Sequence, residues 1–152
     1  MVLLVWVGSV AVGIAAGIAL ERRVMRRLAA LADGTVRGGV LVGTSLMVLA
    51  AFVAAACATA AAGLASGGHA AAALTVACVG AVLGAALAEP LLPWISQSGW
   101  RFVRGIAADA RAAGVPRPSA AGMARAGAVT GYVLVWPALI GTLAAILDLG
   151  GR

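Results

Sequence analysis

The stretch GIALERRVMRRLAALADG, Gly17 to Gly34, decides how this chain folds. An apolar run stops at Glu21, and Arg22, Arg23, Arg26 and Arg27 follow in quick succession. Apolar residues persist between the arginines at helical spacing, so Val24, Leu28 and Leu31 share one face while the arginines occupy the other. Gly34 directly after Asp33 is a helix stop signal. The segment therefore reads as the wet, amphipathic end of a helix whose earlier turns need an apolar solvent.

Working outward, residues 2–20 carry no charge, and neither do 39–63. A hydrocarbon core of roughly 30 Å takes about 20 residues of helix to cross. Residues 70–93 and 126–148 meet the same length, the former with one acid near its end and the latter with Asp148 at its last position. Residues 2–20 do not read as a cleaved leader, because no basic segment precedes the apolar run and the arginines follow it. They are expected to be a retained first span.

Composition agrees with lipid as the main solvent. Of 152 residues, 63% are hydrophobic and 11% charged, whereas a soluble domain carries roughly 25% charged residues. Backbone groups in hydrocarbon must be bonded within the chain, and the runs lack the period-two alternation of barrel strands, so helices are expected. The expected fold is an all-α integral membrane protein, one domain over residues 1–152 with four transmembrane helices. Residues 21–38 and 94–125 form its two long connections, each with a short amphipathic helix.

The net charge of +6 comes from eleven basic residues, all arginine, against five acids. Arg22, Arg23, Arg26, Arg27 and Arg37 lie in the first connection; Arg101, Arg104, Arg111, Arg117 and Arg125 lie in or flank the third. The tip between spans two and three, ASGGH (Ala65–His69), has none. Positively charged connections stay inside. This predicts cytoplasmic first and third connections, both termini outside and residence in the plasma (inner) membrane. Charge divided this way is an orientation signal, which excludes nucleic acid as a partner.

In the third connection, GWRFVRGIAADARAAG (Gly99–Gly114) repeats the amphipathic pattern. Trp100, Val103, Ile106, Ala107 and Ala110 line one side, and Arg101, Arg104 and Arg111 another. Such a helix is expected to lie among lipid headgroups, with Trp94 and Trp100 at interface depth. Its arginines would attract anionic headgroups, or an acidic partner, by about 1 kcal/mol each. GVPRPSAAG (Gly114–Gly122) is expected to break the chain before span four.

The third span ends in ALAEPLLPW, Ala86 to Trp94. Counted from Ala70, Glu89 lies roughly 28 Å along the helix, at the rim and not at mid-depth. Pro90 and Pro93 end or bend the helix there. The expectation is an interfacial carboxylate paired with Arg101 or Arg104, with a titratable gate as the sharper alternative.

Each span carries glycines four apart: Gly13 and Gly17, Gly39 and Gly43, Gly80 and Gly84, Gly127 and Gly131. Such pairs let helix backbones approach closely. At this glycine content about three such pairs arise by chance, so their arrangement matters more than their number. RGGVLVG (Arg37–Gly43) and RAGAVTG (Arg125–Gly131) share the pattern R-x-G-x-x-x-G. This suggests two tandem hairpins related by an axis along the membrane normal. In form these hairpins resemble the duplicated proteolipid subunits of rotary ATPases. That family needs a mid-membrane carboxylate in the second helix of a hairpin, and spans two and four have none before Asp148; the assignment is excluded.

Material for catalysis is thin. DGTVR (Asp33–Arg37) resembles part of the CDP-alcohol phosphotransferase signature, but the further metal-binding aspartates of that family are missing. His69 stands alone in a glycine-rich tip, and Cys57 and Cys78 sit in apolar runs without metal-ligand spacing. No enzyme activity, cofactor or metal is expected. Permeation fares better: Thr75, Cys78 and Glu89 fall within about 40° of one helical face. On span four, Pro137 frees the carbonyl of Val133 and can kink the helix. The leading expectation is a non-catalytic membrane subunit or assembly factor that packs against itself or partner membrane proteins. The second is a small oligomeric transporter, channel or holin-like pore.

Overall fold

The computed structural model describes residues 2–91 and 100–150. Among the described residues the chain is all helical, without strands. Four helical stretches are long and apolar enough to cross a membrane: Leu3–Glu21, Val36–Ser66, Ala70–Leu91 and Arg117–Leu149.

Helix α1 spans Val2–Leu31 without a break, so the arginine segment continues the first apolar helix. It stops where Asp33 (φ 49°) and Gly34 (φ 70°) turn left-handed, a conformation glycine adopts freely and aspartate tolerates. Thr35 then caps helix α2, Val36–Ser66, its hydroxyl accepting the Gly38 N–H at 2.9 Å. DGTVR is thus a helix-to-helix corner. At the other end of α2, the Gly68 N–H donates to Ala65 O at 3.1 Å and the His69 N–H to Leu64 O at 2.9 Å. Gly68 takes φ 82° to complete this two-bond helix stop.

Helix α3 covers Ala70–Ala88 and tightens into a 3-10 turn over Glu89–Leu91, where Pro90 cannot continue the α-helical ladder. Pro93 and Trp94 lie outside the described residues. Helix α4, Trp100–Ala112, ends in a second such stop at Gly114 (φ 97°), with Val115 N–H on Ala110 O at 3.0 Å. Helix α5 spans Arg117–Thr130, a π-helical turn covers Gly131–Val135 and helix α6 spans Trp136–Gly150. Two of these features differ from expectation. GVPRPSAAG breaks the chain only over Gly114–Pro116, and its remainder opens α5, since Pro116 and Pro118 suit a helix start, where N–H groups lack partners anyway. The missing donor of Pro137 is met by a widened turn, in which the Trp136 N–H reaches back five residues to Gly131 O.

The packing order follows from which helices carry small faces. Helix α2 buries Gly39, Gly43, Met47, Ala50, Ala54, Ala61 and Ala65 along one side. It packs lengthwise against α3 and against α5 and α6. Helix α1 packs on α3 in preference to its sequence neighbour α2. Near the end opposite the arginines, the Trp6 indole N–H donates to the Thr142 hydroxyl at 2.9 Å, tying α1 to α6.

The helices differ in length, and that sets the site. At 1.5 Å per residue α3 and its 3-10 turn are about 33 Å long and α2 is about 46 Å. Both start from the Gly67–His69 corner. Gly17 lies against Glu89 and Gly127 against Leu91. The turns of α1 after Gly17, the start of α2 and the start of α5 therefore extend beyond the end of α3. Helix α4 packs on α5 and fills the place that α3 vacates.

Candidate functional site

This extended end, the basic end, carries most of the chain's charge. Its core joins Met25, Leu28 and Ala32 of α1 to Ile106 and Ala110 of α4, Val115, and Ala120 and Met123 of α5. Two sequence expectations shift here. The buried face of the α1 extension is Met25, Leu28 and Ala32, with Val24 half-buried and Leu31 67% exposed. The apolar face of α4 does not lie outward: Ile106 and Ala110 are buried, and Val103 and Ala107 are half-buried against the same core. The side chains of Arg22, Trp100 and Arg101 lie outside the described residues. Arg23, Arg26, Arg27, Arg104 and Arg111 are exposed.

One buried hydroxyl fastens this end. Ser119 on α5 faces the carbonyls of Ala32 (3.3 Å) and Thr35 (2.9 Å), across the corner between α1 and α2. Gly38 and Gly39 make that corner possible, since a Cβ on Gly38 would strike Ala32 O and one on Gly39 would strike Ser119 O.

The paired glycines of the spans, and Gly122, also lie at helix contacts. A Cβ on Gly13 would meet Val82 O and lie 2.8 Å from Ala85 Cβ; one on Gly43 would lie 2.7 Å from Met123 O. Gly122, on the facing surface of α5, would put a Cβ 2.5 Å from Val36 O. Gly80 faces Cys57 Cβ, and Gly84 would come 3.0 Å from Ala54 Cβ. Gly127 faces Leu91 Cβ at 2.7 Å, and Gly131 is buried within the π-helical turn. The two R-x-G-x-x-x-G segments thus meet different partners: Gly39 and Gly43 face α5, whereas Gly127 faces the end of α3.

Glu89 sits where this end meets the bundle. Its Cβ and Cγ lie over Gly17. Its Oε2 atom is buried without a hydrogen-bond partner among the described residues, so the expected pairing with Arg104 is not formed at that atom. Among the described residues, the charges that act on it are the Glu21 and Asp109 carboxylates. Beside it, a half-open cavity of about 780 Å³ separates α1 from α4, lined by Glu21, Met25, Arg26, Asp109, Ala112 and Ala113. Three of the chain's five acids thus gather inside its arginine-rich end.

Thr75 and Cys78 do not join Glu89. They line a shallow apolar groove of about 560 Å³ with Val5, Leu74, Val79, Val82 and Leu83. The Thr75 hydroxyl is already bonded to Ala71 O at 2.9 Å. Glu89 still continues the α-helical ladder, its N–H on Ala85 O, but it stands about 21 Å along the helix from Thr75 and packs over Gly17 of α1. Cys57 and Cys78 are free thiols. Among the described residues no group of His, Cys, Asp or Glu side chains could hold a metal ion.

Compared with known protein families, curated proteins and solved structures, the chain matches none.

Proposed function

We infer that the chain is a non-catalytic, multi-pass subunit of the plasma (inner) membrane, built to pack with itself or with partner membrane helices. The supporting observation is a solid interior. At mid-bundle Met47, Ala50, Ala54, Ala81, Ala85 and Leu139 are all fully buried, and near the end opposite the arginines the Trp6–Thr142 bond satisfies both polar groups. Among the described residues, such an interior favours helix packing over a water-lined path through a single copy. Its outer faces are apolar along the long helices, as with Leu41, Phe52 and Val133. Lipid or partner helices cover such faces.

In this reading the basic end is cytoplasmic and both termini are outside, with exposed Arg23, Arg27, Arg104 and Arg111 near anionic headgroups. The repeated R-x-G-x-x-x-G segments, one at the start of α2 and one at the end of α5, fit an origin by duplication of a hairpin. The second reading is permeation between copies. It is favoured by one observation, the outward-facing groove of Thr75 and Cys78, which only a second molecule could close.

Extraction in mild detergent together with flux in reconstituted vesicles separates the two. A particle larger than one chain, with no flux, supports the subunit reading. Ion flux whose selectivity changes in Glu89→Gln overturns it in favour of permeation.

A further inference from the structure

The π-helical turn over Gly131–Val135 moves a hydrogen-bond deficit without removing it. Pro137 has no N–H for Val133 O, and the Trp136 N–H is turned to Gly131 O instead of Tyr132 O. Two successive carbonyls thereby lose the donors that an α-helix would give them. They sit deep in the span. Gly127 lies against Leu91 at the end of α3, and Val133 stands about 9 Å farther from the basic end. From Val133 to Leu149, where the span ends, is roughly another 24 Å. Water does not reach such depths, and carbonyls that proline frees in membrane helices draw donors from neighbouring helices.

The same turn faces away from the bundle. Tyr132 is 54% exposed and Val133 63% exposed, and Pro137, one turn on from Val133, is exposed as well. Val129 and Ile140 continue this outward face along α5 and α6. Tyr132 brings a phenol, which can donate, and its hydroxyl forms no hydrogen bond among the described residues. Lipid tails can cover the apolar residues here, but they offer nothing to a carbonyl or a phenol.

A donor and acceptors this close together on one face are complementary to a second copy of that face. A twofold axis along the membrane normal keeps both copies at one depth and offers each phenol the other's carbonyls, the self-matching of an isologous contact. We propose that the chain forms a twofold dimer through this face, each Tyr132 hydroxyl donating to one of the two freed carbonyls of the second copy. Val129 and Ile140 flank the crossing. The proposal rests on the subunit reading above and names its face and its partner.

Disulfide trapping of the full chain in vesicles, in a Cys57→Ala/Cys78→Ala background, tests it. Val129→Cys and Ile140→Cys should each give cross-linked dimers on oxidation. Ile18→Cys on α1 and Phe52→Cys on α2, exposed on other faces, should not. Energy transfer between labelled chains then reads the dimer affinity. Tyr132→Phe should weaken dimerisation about eightfold, the effect of two polar contacts of average size between membrane helices. Pro137→Ala returns an N–H to Val133 O and should weaken dimerisation as well, with the thermal unfolding midpoint level or raised. An intact midpoint separates loss of the contact from loss of the fold. Dimers linked only through Ile18→Cys or Phe52→Cys overturn the proposal and leave self-packing in place. Dimerisation unchanged in both Tyr132→Phe and Pro137→Ala overturns it too. A chain that stays monomeric at every concentration overturns it and leaves only partner helices for the subunit reading. Ion flux through a dimer joined at this face defeats the subunit reading while supporting the interface.

Discussion

Glu89 lies across Gly17. A Cβ added at Gly17 would collide with Glu89 Cβ, and would come 2.9 Å from Glu89 Cγ and 3.0 Å from Ala86 O. Neither the root of a side chain nor a helix carbonyl can move aside cheaply. Gly17→Ala should therefore destabilise the protein by about 1–3 kcal/mol through overpacking. Gly8, on the same helix, has nothing within 4 Å. Gly8→Ala should be neutral or stabilise by up to about 1 kcal/mol, the usual cost of a mid-helix glycine. Thermal unfolding of the two variants in one detergent checks the contrast, and equal effects would refute the crossing.

Gly80 meets a side chain and not a backbone, since its added Cβ would strike Cys57 Cβ. That clash is removable. Gly80→Ala should destabilise alone, and Cys57→Gly should restore part of the loss. The double-mutant cycle should give a coupling of about 0.5–3 kcal/mol, the range for residues in contact. Additive effects would show that α2 and α3 do not meet at these residues.

Ser119 is buried and is the hydrogen-bond donor to the corner carbonyls of Ala32 and Thr35. Ser119→Ala removes the donor, but Ala32 O keeps the Thr35 N–H and Thr35 O keeps the Gly39 N–H, so the expected loss is about 0.5–1.5 kcal/mol. Amide exchange should quicken at the Gly34–Val36 corner before it does at the Gly67–His69 corner.

The Trp6–Thr142 bond joins two helices far apart in sequence, and the Thr142 hydroxyl donates onward to Leu139 O at 2.6 Å. Trp6→Phe and Thr142→Val should couple by about 0.5–2 kcal/mol, as for polar contacts between membrane helices. A null cycle would remove the tie between α1 and α6.

Much of the fold was legible because long apolar runs have one helical solution, and because Asp33-Gly34 and Gly67-Gly68 carry turn chemistry. What was not legible is informative. The pattern of Val103, Ile106, Ala107 and Ala110 shows that α4 has an apolar face, but not whether lipid or protein covers it. That depends on the length mismatch between α3 and its neighbours, which leaves a vacancy at the basic end for α4 to fill. The same competition moved the buried side of α1 from Leu31 to Met25 and Ala32.

The candidate site was legible only in part. Glu89 stood out as an acid among apolar residues. Its neighbours did not, because Glu21 and Asp109 lie 68 and 20 residues from Glu89 in sequence. They reach it only through the packing of α1 and α4. A helical wheel grouped Glu89 with Thr75 and Cys78, but a wheel carries no depth, and they lie about 21 and 17 Å from it along the helix. The glycine pairs could be read in the sequence, but which neighbour each glycine meets could not.

The central claim is that four spans cross a bilayer with the arginine-bearing end in the cytoplasm. Single cysteines at His69, Arg37 and Arg117, in a Cys57→Ala/Cys78→Ala background, report this through a membrane-impermeant thiol reagent on intact cells. Labelling of His69→Cys from outside, with Arg37→Cys and Arg117→Cys reacting only after permeabilisation, is the predicted result. Labelling of Arg37→Cys or Arg117→Cys in intact cells would contradict it.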